Sequence, residues 1–136
     1  MTEEYKNKVR ERFDELAQSY SGSALKIIRD KRLNLIKKYV KKDDRILEIG
    51  CGSGNLLRFI ECGNIFGLDI SSNMVKEAKK SVPNGKFTTG DAEDLPYEDD
   101  YFDKVIMSEV LYYLPNMGKA ITEAKRVLKK DGKILI

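Results

Sequence analysis

Apolar positions recur with helical spacing near the start of the chain. The first apolar stripe has offsets of 0, 4, 7, 8 and 11, as one face of an amphipathic helix does, and consists of Val9, Phe13, Leu16, Ala17 and Tyr20. Ser21-Gly22-Ser23 predicts a break, and a second helix is expected to continue to about Val40. The apolar face of this second helix is predicted to contain Ile28, Leu35, Ile36 and Tyr39.

From residue 45 onward, short apolar runs alternate with helical stretches. The runs predict five strands, at residues 45–49, 64–69, 86–89, 102–107 and 133–136. Helices are predicted at residues 56–62, after Ser71-Ser72, and from Met117 to Leu128, with Gly132 as a C-cap glycine. Alternating strands and helices favour right-handed crossovers and a parallel sheet covered on both faces. We therefore expect one α/β domain, with residues 1–42 as leading helices and residues 43–136 as the core.

Composition narrows the class of protein. The chain has 136 residues, 41% of them apolar and 35% charged, which is typical of one soluble globular domain. No apolar run reaches the roughly 18 residues of a membrane span, and the polar N-terminus does not resemble a signal peptide, so a cytoplasmic protein is expected. Histidine is absent, which excludes serine–histidine and cysteine–histidine nucleophile pairs, and two cysteines alone do not make a zinc site.

The net charge of +3 is unevenly distributed along the chain. Residues 1–42 hold 12 basic and 6 acidic side chains, whereas residues 43–136 hold 13 basic and 16 acidic ones. A basic segment binds nucleic acid or an acidic membrane surface in some proteins. Here acids are interspersed among the basic residues at helical spacing, which favours a solvated helix face over a nucleic-acid interface.

A glycine-rich turn is predicted at residues 48–54, with the sequence E-I-G-C-G-S-G. Alternate glycines allow positive φ and close approach of a ligand, and the following helix N-terminus favours an anion. Asp69 ends the next strand 19 residues after Gly50, where a carboxylate can accept both hydroxyls of a ribose. Asn55 stands where a dinucleotide-binding fingerprint has its third glycine, which argues against a nicotinamide-dependent oxidoreductase.

Polar residues also follow the third and fourth predicted strands. Asp91 comes after the third strand, where an acid can accept from an adenine amino group, and Ser108 comes after the fourth. In open α/β sheets, ligands bind beyond the carboxyl ends of the strands, near the point where strand order reverses. We therefore expect Glu48, Gly50, Asp69, Asp91 and Ser108 to meet at one edge of the sheet.

Five ordered motifs make the chain resemble the class I S-adenosylmethionine (SAM)-dependent methyltransferases. The motifs are E-I-G-C-G-S-G, G-L-D-I-S-S-N-M, G-D-A-E-D-L-P, F-D-K-V-I-M and R-V-L-K-K-D-G-K-I-L-I. The leading R-F-D-E-L-A-Q-S-Y is similar to the helix before the core in the ubiquinone/menaquinone-biosynthesis type of small-molecule methyltransferase. The resemblance implies a three-layer Rossmann-like fold, SAM as cofactor, no metal, and in-line methyl transfer to a small-molecule acceptor.

The resemblance also implies roles for individual residues. The cofactor-binding set that it implies consists of Tyr20, Glu48, Gly50, Cys51, Gly52, Asp69, Ile70, Met74, Asp91, Ala92 and Ser108. Within this set, Glu48 is expected to help hold the ammonium group of SAM, Asp69 the ribose and Asp91 the adenine. Tyr20 is expected to close over the cofactor, and Cys51 is interpreted as a small loop residue and not as a nucleophile.

Methyl transfer of this kind needs positioning and exclusion of water more than acid–base groups. If the acceptor must lose a proton, the candidate residues are Glu109, Tyr112 and Tyr113. The family's sheet normally continues past the fifth strand, whereas this chain stops at Ile136, so we expect an incomplete acceptor pocket. The non-enzyme alternative is a truncated core that binds SAM without turnover. The fifth strand is predicted either to self-associate or to be covered by the leading helices.

Overall fold

Five parallel strands form the central sheet of the computed structural model, which describes residues 2–17, 26–108 and 110–136. The strands are β1 (Arg45–Ile49), β2 (Asn64–Asp69), β3 (Lys86–Thr89), β4 (Phe102–Ile106) and β5 (Leu128–Leu135). Their order across the sheet is β3-β2-β1-β4-β5, and each neighbouring pair is parallel. The predicted α/β class and parallel sheet are confirmed.

Helices cover both faces of this sheet. The described helices are α1 (Thr2–Leu16), α2 (Lys26–Lys37), α3 (Ser72–Ser81) and α4 (Met117–Val127). One apolar core joins the sheet to α2, α3 and a 3₁₀ turn at Leu57–Phe59, and includes Leu33, Ile36, Leu57, Val75 and Ala78. A second core lies against α4 and includes Leu47, Ile49, Val105, Ala120 and Ala124. The architecture is therefore three-layered.

The central strand β1 shows why this sequence forms a doubly covered sheet. Ile46 and Ile49 have no exposed surface, and Ile46 belongs to one core whereas Ile49 belongs to the other. A strand buried on both faces needs such a continuous apolar run. Glu48 interrupts the run at the carboxyl end of β1, in register with Ile106 of β4. This position lies at the β1–β4 boundary, where strand order reverses.

Three predicted elements differ from the structure. The helix predicted at residues 56–62 is only the 3₁₀ turn Leu57–Phe59. Gly132 is not a helix C-cap, because α4 ends at Val127 and the chain passes directly into β5, which begins at Leu128 and not at residue 133. A Cβ at Gly132 would lie 2.9 Å from the carbonyl oxygen of Asp103, so close approach to β4 requires the glycine.

The second leading helix ends earlier than predicted and turns a different face inward. It ends at Lys37 and not near Val40. Its buried residues are Leu33 and Ile36, whereas Leu35 is 57% exposed and Tyr39 is 46% exposed. The prediction was right for Ile36 and wrong for Leu35, because the docking of α2 buries Leu33 beside Ile36. Tyr39 lies beyond the end of the helix, and the side chain of Ile28 lies outside the described residues.

The first leading helix is fixed to α3 by hydrogen bonds. The Asp14 carboxylate accepts hydrogen bonds from the Ser71 hydroxyl and, at 3.2 Å, from the Asn73 backbone N–H. The Ser71 hydroxyl in turn caps α3 by accepting from the Met74 N–H at 3.1 Å. No helix in the described ranges is long and apolar enough to cross a membrane. The same ranges contain no cluster of three or more candidate metal ligands.

Candidate active site

A cavity of about 200 Å³ lies at the carboxyl edge of the sheet, between the strand ends and the helices α1 and α2. Its walls include many of the residues that the sequence predicted for the site, namely Glu48, Gly50, Cys51, Gly52, Asp69, Ile70, Met74, Asp91, Ala92, Ser108 and Tyr113. Most of these residues lie at or after the carboxyl ends of four strands. The sheet topology therefore brings together residues that are far apart in the sequence. The structure brings them to one cavity, as the strand-end argument predicts.

Tyr112 differs from Tyr113, because it is 69% exposed and does not line this cavity. The 3₁₀ turn Leu111–Tyr113 explains the difference, because it points Tyr113 inward and Tyr112 outward. Tyr20 and Glu109 lie outside the described residues.

The glycine turn adopts backbone conformations that favour glycine. Gly50, Gly52 and Gly54 have φ values of 74°, 53° and 82°, in the left-handed region. A Cβ at Gly50 would lie 2.6 Å from a methyl group of Val110, so the turn packs tightly there. At Gly52 a Cβ would meet nothing within 4 Å, although this residue forms part of the cavity wall. The turn therefore offers a ligand bare backbone at Gly52.

Asp69 links this turn to the start of α3. Its carboxylate accepts the backbone N–H groups of Gly52 and Ser71, each at 2.9 Å. Burial raises the pKa of Asp69, and these two hydrogen bonds oppose the rise. A carboxylate has about four lone-pair sites, so acceptor capacity remains on the cavity side for ligand hydroxyls.

Glu48 is the least satisfied charged group of the cavity. The residue is 3% exposed, and its Oε2 atom is buried without a hydrogen-bond partner among the described residues. Burial, and then the negative charge of Asp69, raise its pKa well above the ordinary value. A buried acceptor without a partner is costly, and a cationic or hydrogen-bond-donating ligand would relieve that cost.

Asp91, by contrast, is paired by the protein itself. The Lys6 ammonium of α1 lies 2.6 Å from Asp91 Oδ2 and 3.1 Å from Glu93 Oε2. Burial acts to raise the pKa of Asp91, but the Lys6 hydrogen bond and charge and the Glu93 N–H lower it overall. Glu93 also accepts the Asn116 N–H at 3.0 Å. Lys6 therefore ties α1 to the loop after β3.

An apolar wall closes the cavity from the helical side. Val9 and Phe13 lie one turn apart on α1, and both face the cavity. The Phe13 ring meets the Tyr113 ring edge to face, with centroids 5.1 Å apart. Such a wall excludes water from whatever the cavity holds.

Sequence reasoning missed two arginines of α2. Arg29 and Arg32 line the cavity, and Arg32 Nη1 lies 3.5 Å from the Ser108 hydroxyl. Arg29 stacks over the Phe59 ring at 4.7 Å and pairs with Asp30 at 3.1 Å. Their spacing of three residues places them on one face of α2. From the sequence alone, two basic residues at this spacing are typical of a helix face exposed to solvent.

Cys51 agrees with its interpretation as a small loop residue. The residue is buried, and burial first, then the charges of Asp69 and Glu48, raise the pKa of its thiol well above the ordinary value. The thiolate is the nucleophilic form of cysteine, and this environment disfavours it.

Comparison with known proteins gives the family. Residues 47–136 match the family described as Methyltransferase domain. An uncharacterized protein of Methanocaldococcus jannaschii is 40% identical over 127 residues, which cover 91% of this chain and 59% of the relative. The ubiquinone/menaquinone biosynthesis C-methyltransferase UbiE of Campylobacter jejuni is 34% identical over 107 residues, 72% of this chain and 46% of that enzyme. The chain spans about half the length of the curated relatives it matches.

A solved structure gives the same result. A SAM-dependent methyltransferase of Thermotoga maritima superposes with a TM-score of 0.74 at 25% identity, over 90% of this chain and 57% of that one. Its similarity extends over the leading helices as well as the core, since 90% of this chain is covered. With the five-stranded parallel sheet and its glycine turn, these matches show that the chain belongs to the class I SAM-dependent methyltransferases.

Proposed function

We propose that the cavity binds SAM and that the protein transfers the SAM methyl group to a small-molecule acceptor. The observation that carries the proposal is the buried Glu48 carboxylate, whose Oε2 atom has no hydrogen-bond partner among the described residues. It lies beside the bare glycine turn, one strand away from Asp69. The amino-acid end of SAM has an ammonium group that would satisfy Glu48. The ribose has two hydroxyls that would satisfy Asp69.

The remaining residues follow from the order of the strands. Gly50, Cys51 and Gly52 would contact the methionine part, and Ser108 would lie beneath the sulfonium. The adenine would lie at the other end of the cavity, beside Asp91, and would be enclosed by Ile70, Met74 and Ala92. This placement has SAM extended along the sheet edge from β4 to β3. Neighbouring strands are about 4.8 Å apart, so three spacings give a span of roughly 14 Å.

The chemistry asked of the protein is modest. SAM supplies an activated methyl group on a sulfonium, and the transfer is an in-line displacement. The residues of this chain would orient both reactants and keep water out, and Val9, Phe13 and Tyr113 form the apolar wall that does so. Of the two predicted proton acceptors that the structure describes, Tyr113 faces the cavity and Tyr112 does not, so Tyr113 is the first to test if the acceptor needs deprotonation.

Titration calorimetry with SAM and with NAD tests the cofactor. We expect saturable SAM binding and none of NAD, and the reverse would favour an oxidoreductase. A radiolabelled-methyl transfer assay over candidate acceptors, run on the same protein, then separates an enzyme from a SAM-binding core without turnover. SAM binding without any transfer would favour the second. Tight binding of generic RNA or DNA at physiological salt would contradict the small-molecule acceptor.

A further inference from the structure

A second cavity, of about 790 Å³, lies between α2 and the strands β4 and β5. It is formed by one face of residues 32–39, by residues 106–108 and 111–112, and by residues 133–136, and we call it the α2–β5 groove. Its volume falls within the roughly 300–1,000 Å³ of ligand pockets. Its wall contains four apolar side chains that are each at least 46% exposed, namely Leu35, Tyr39, Tyr112 and Ile136. Exposed apolar surface gathered in one place is typical of a binding site.

The α2–β5 groove adjoins the cavity proposed for SAM. Arg32 and Ser108 line both cavities, and Arg32 Nη1 lies 3.5 Å from the Ser108 hydroxyl. The 3₁₀ turn Leu111–Tyr113 presents Tyr113 to the SAM cavity and Tyr112 to the groove. Because Ser108 is the residue proposed to lie beneath the sulfonium, the groove meets the SAM cavity where the methyl group would be. An in-line displacement needs its acceptor on the side of the methyl group opposite the sulfur, and a neighbouring cavity can hold it there.

The charged side chains of the α2–β5 groove have one sign. Arg32 lies at the SAM end and Lys133 at the far end, and none of the lining residues that the structure describes is acidic. The Lys133 ammonium lies 5.4 Å from the centre of the Tyr39 ring. Lys133 is in register with Lys104, four residues before Ser108, so the two ends of the groove are roughly 13 Å apart. A cation at that distance, beyond an apolar wall, fits an elongated apolar molecule with an anionic group at one end.

We infer that the α2–β5 groove receives the methyl acceptor, and that this acceptor is an elongated, largely apolar anion. Its acid group lies at Lys133, its apolar body against Leu35 and Tyr112, and its methyl-accepting atom at Ser108. In the transfer that atom forms a bond to the methyl carbon, while the carbon–sulfur bond breaks and leaves its electron pair on sulfur. A proton carried by the accepting atom is released to solvent. This inference rests on the proposed function, because it names the acceptor of the same reaction.

Two phenols that differ in one carboxylate test the acceptor class. 4′-Hydroxybiphenyl-4-carboxylate and 4-hydroxybiphenyl are titrated into the wild type, Lys133→Gln and Lys133→Arg, each saturated with S-adenosylhomocysteine so that no turnover occurs. The wild type should bind the carboxylate about fivefold more tightly than the plain phenol, as expected for one partly exposed ion pair. Lys133→Gln should lose this preference, and Lys133→Arg should keep it because the charge remains.

Leu35→Glu tests the location of the bound acceptor. It adds a negative charge to the groove wall and should weaken binding of the biphenyl carboxylate about tenfold. Ile27→Glu is the matched control, since Ile27 is 72% exposed on the same helix and lines neither cavity. SAM affinity should be unchanged in both variants. With SAM and the wild type, either the labelled methyl group should move to the biphenyl carboxylate, or a nuclear Overhauser effect should join the SAM methyl to the ring protons beside the hydroxyl.

The outcomes separate the inference from the proposed function. A wild type without the carboxylate preference, or a preference that persists in folded Lys133→Gln, overturns the inference and leaves SAM binding standing. Binding that Leu35→Glu does not weaken, or the absence of both methyl transfer and the Overhauser effect, does the same. A wild-type dimer that Leu35→Glu dissociates in sedimentation gives the groove to a second copy of the chain and also overturns the inference. Failure of the wild type to bind SAM overturns the proposed function itself.

Discussion

The two ends of the cavity differ in how the protein treats its own charges. At the β3 end, the Asp91 carboxylate meets the Lys6 ammonium at 2.6 Å, and Glu93 has partners on both oxygens. At the β1 end, the Glu48 carboxylate is buried and one of its oxygens has no partner among the described residues. Buried charges are normally paired, so an unpaired one marks a place that a ligand completes. At the β3 end the protein pairs its own charges, whereas at the β1 end a buried oxygen is available to a ligand.

Asp69 belongs to both ends, because it holds the glycine turn and the start of α3 together, and its loss should have the largest effect. Asp69→Ala removes the predicted hydrogen bonds to the ribose, each worth about 1.5–3 kcal/mol. We expect SAM affinity, measured by calorimetry, to fall at least tenfold (roughly 1.4 kcal/mol). Asp43→Ala, in the exposed turn before β1, is the control and should bind normally. A folded Asp69→Ala protein with unchanged affinity would refute the ribose assignment.

Glu48→Gln should raise the stability of the free protein and weaken the binding of SAM. An acid whose pKa is raised by folding binds more protons in the folded state, so stability falls as pH rises from the ordinary value of 4.5 through the raised pKa. Above the raised pKa the wild type bears the cost of the buried charge, and the variant does not. The free energy of unfolding should therefore rise by about 1 kcal/mol, or about 4 °C in Tm.

The same Glu48→Gln protein should bind SAM about tenfold more weakly, because the neutral amide gives up the charge on the predicted ammonium partner. Thermal unfolding and calorimetry on one preparation check both effects. The matched control is Glu98→Gln, which changes an exposed acid in the loop before β4. A variant that is both less stable and equally tight in binding would contradict the role given to the unpartnered oxygen.

The ion pairs of Lys6 are predicted to slow the entry of SAM, because they hold α1 against the loop after β3. The cavity volume of about 200 Å³ is below the roughly 300–1,000 Å³ of ligand pockets, so we expect α1 to move when SAM enters. Lys6→Met removes two ion pairs that hold α1 down. SAM association, followed by stopped-flow fluorescence, should quicken roughly fivefold, the equivalent of about 1 kcal/mol. Lys8→Met is the control, since Lys8 pairs with Glu4 on the exposed face of the same helix. Equal association rates in Lys6→Met and Lys8→Met would contradict the role given to the Lys6 ion pairs.

Local patterns in the sequence were enough to predict the strand ends and the glycine turn. Asp69, Asp91 and Ser108 lie at or just after the ends of predicted strands, and a parallel topology alone brings them to one edge. Arg29 and Arg32 could not be found in this way, because their direction depends on how α2 docks. Hydropathy predicted Ile36 and Leu35 on the inward face of α2, whereas the sheet accepts Ile36 together with Leu33 and leaves Leu35 exposed. A helix face is set by its partner surface, which one sequence pattern does not contain.

Gly132 shows the same limit at a helix end. A glycine four residues after an apolar helical stripe is typical of a C-cap. The structure instead uses it where β5 approaches the Asp103 carbonyl of β4, a contact between residues that are distant in the chain. Both roles need a residue without a Cβ, so composition does not separate them.

The smallest expected effect is a proton released when SAM binds, and it tests the unpaired end directly. At a pH near the raised pKa of Glu48, part of the free protein is protonated, and an ammonium group beside the carboxylate would lower that pKa. Binding therefore expels a fraction of a proton, and affinity rises with pH through the raised pKa. Calorimetry in two buffers of different ionisation enthalpy measures that fraction. It should disappear in Glu48→Gln and persist in Lys6→Met, because Lys6 acts at the other end of the cavity. Proton release that persists in Glu48→Gln would assign it to another group and leave Glu48 without its predicted partner.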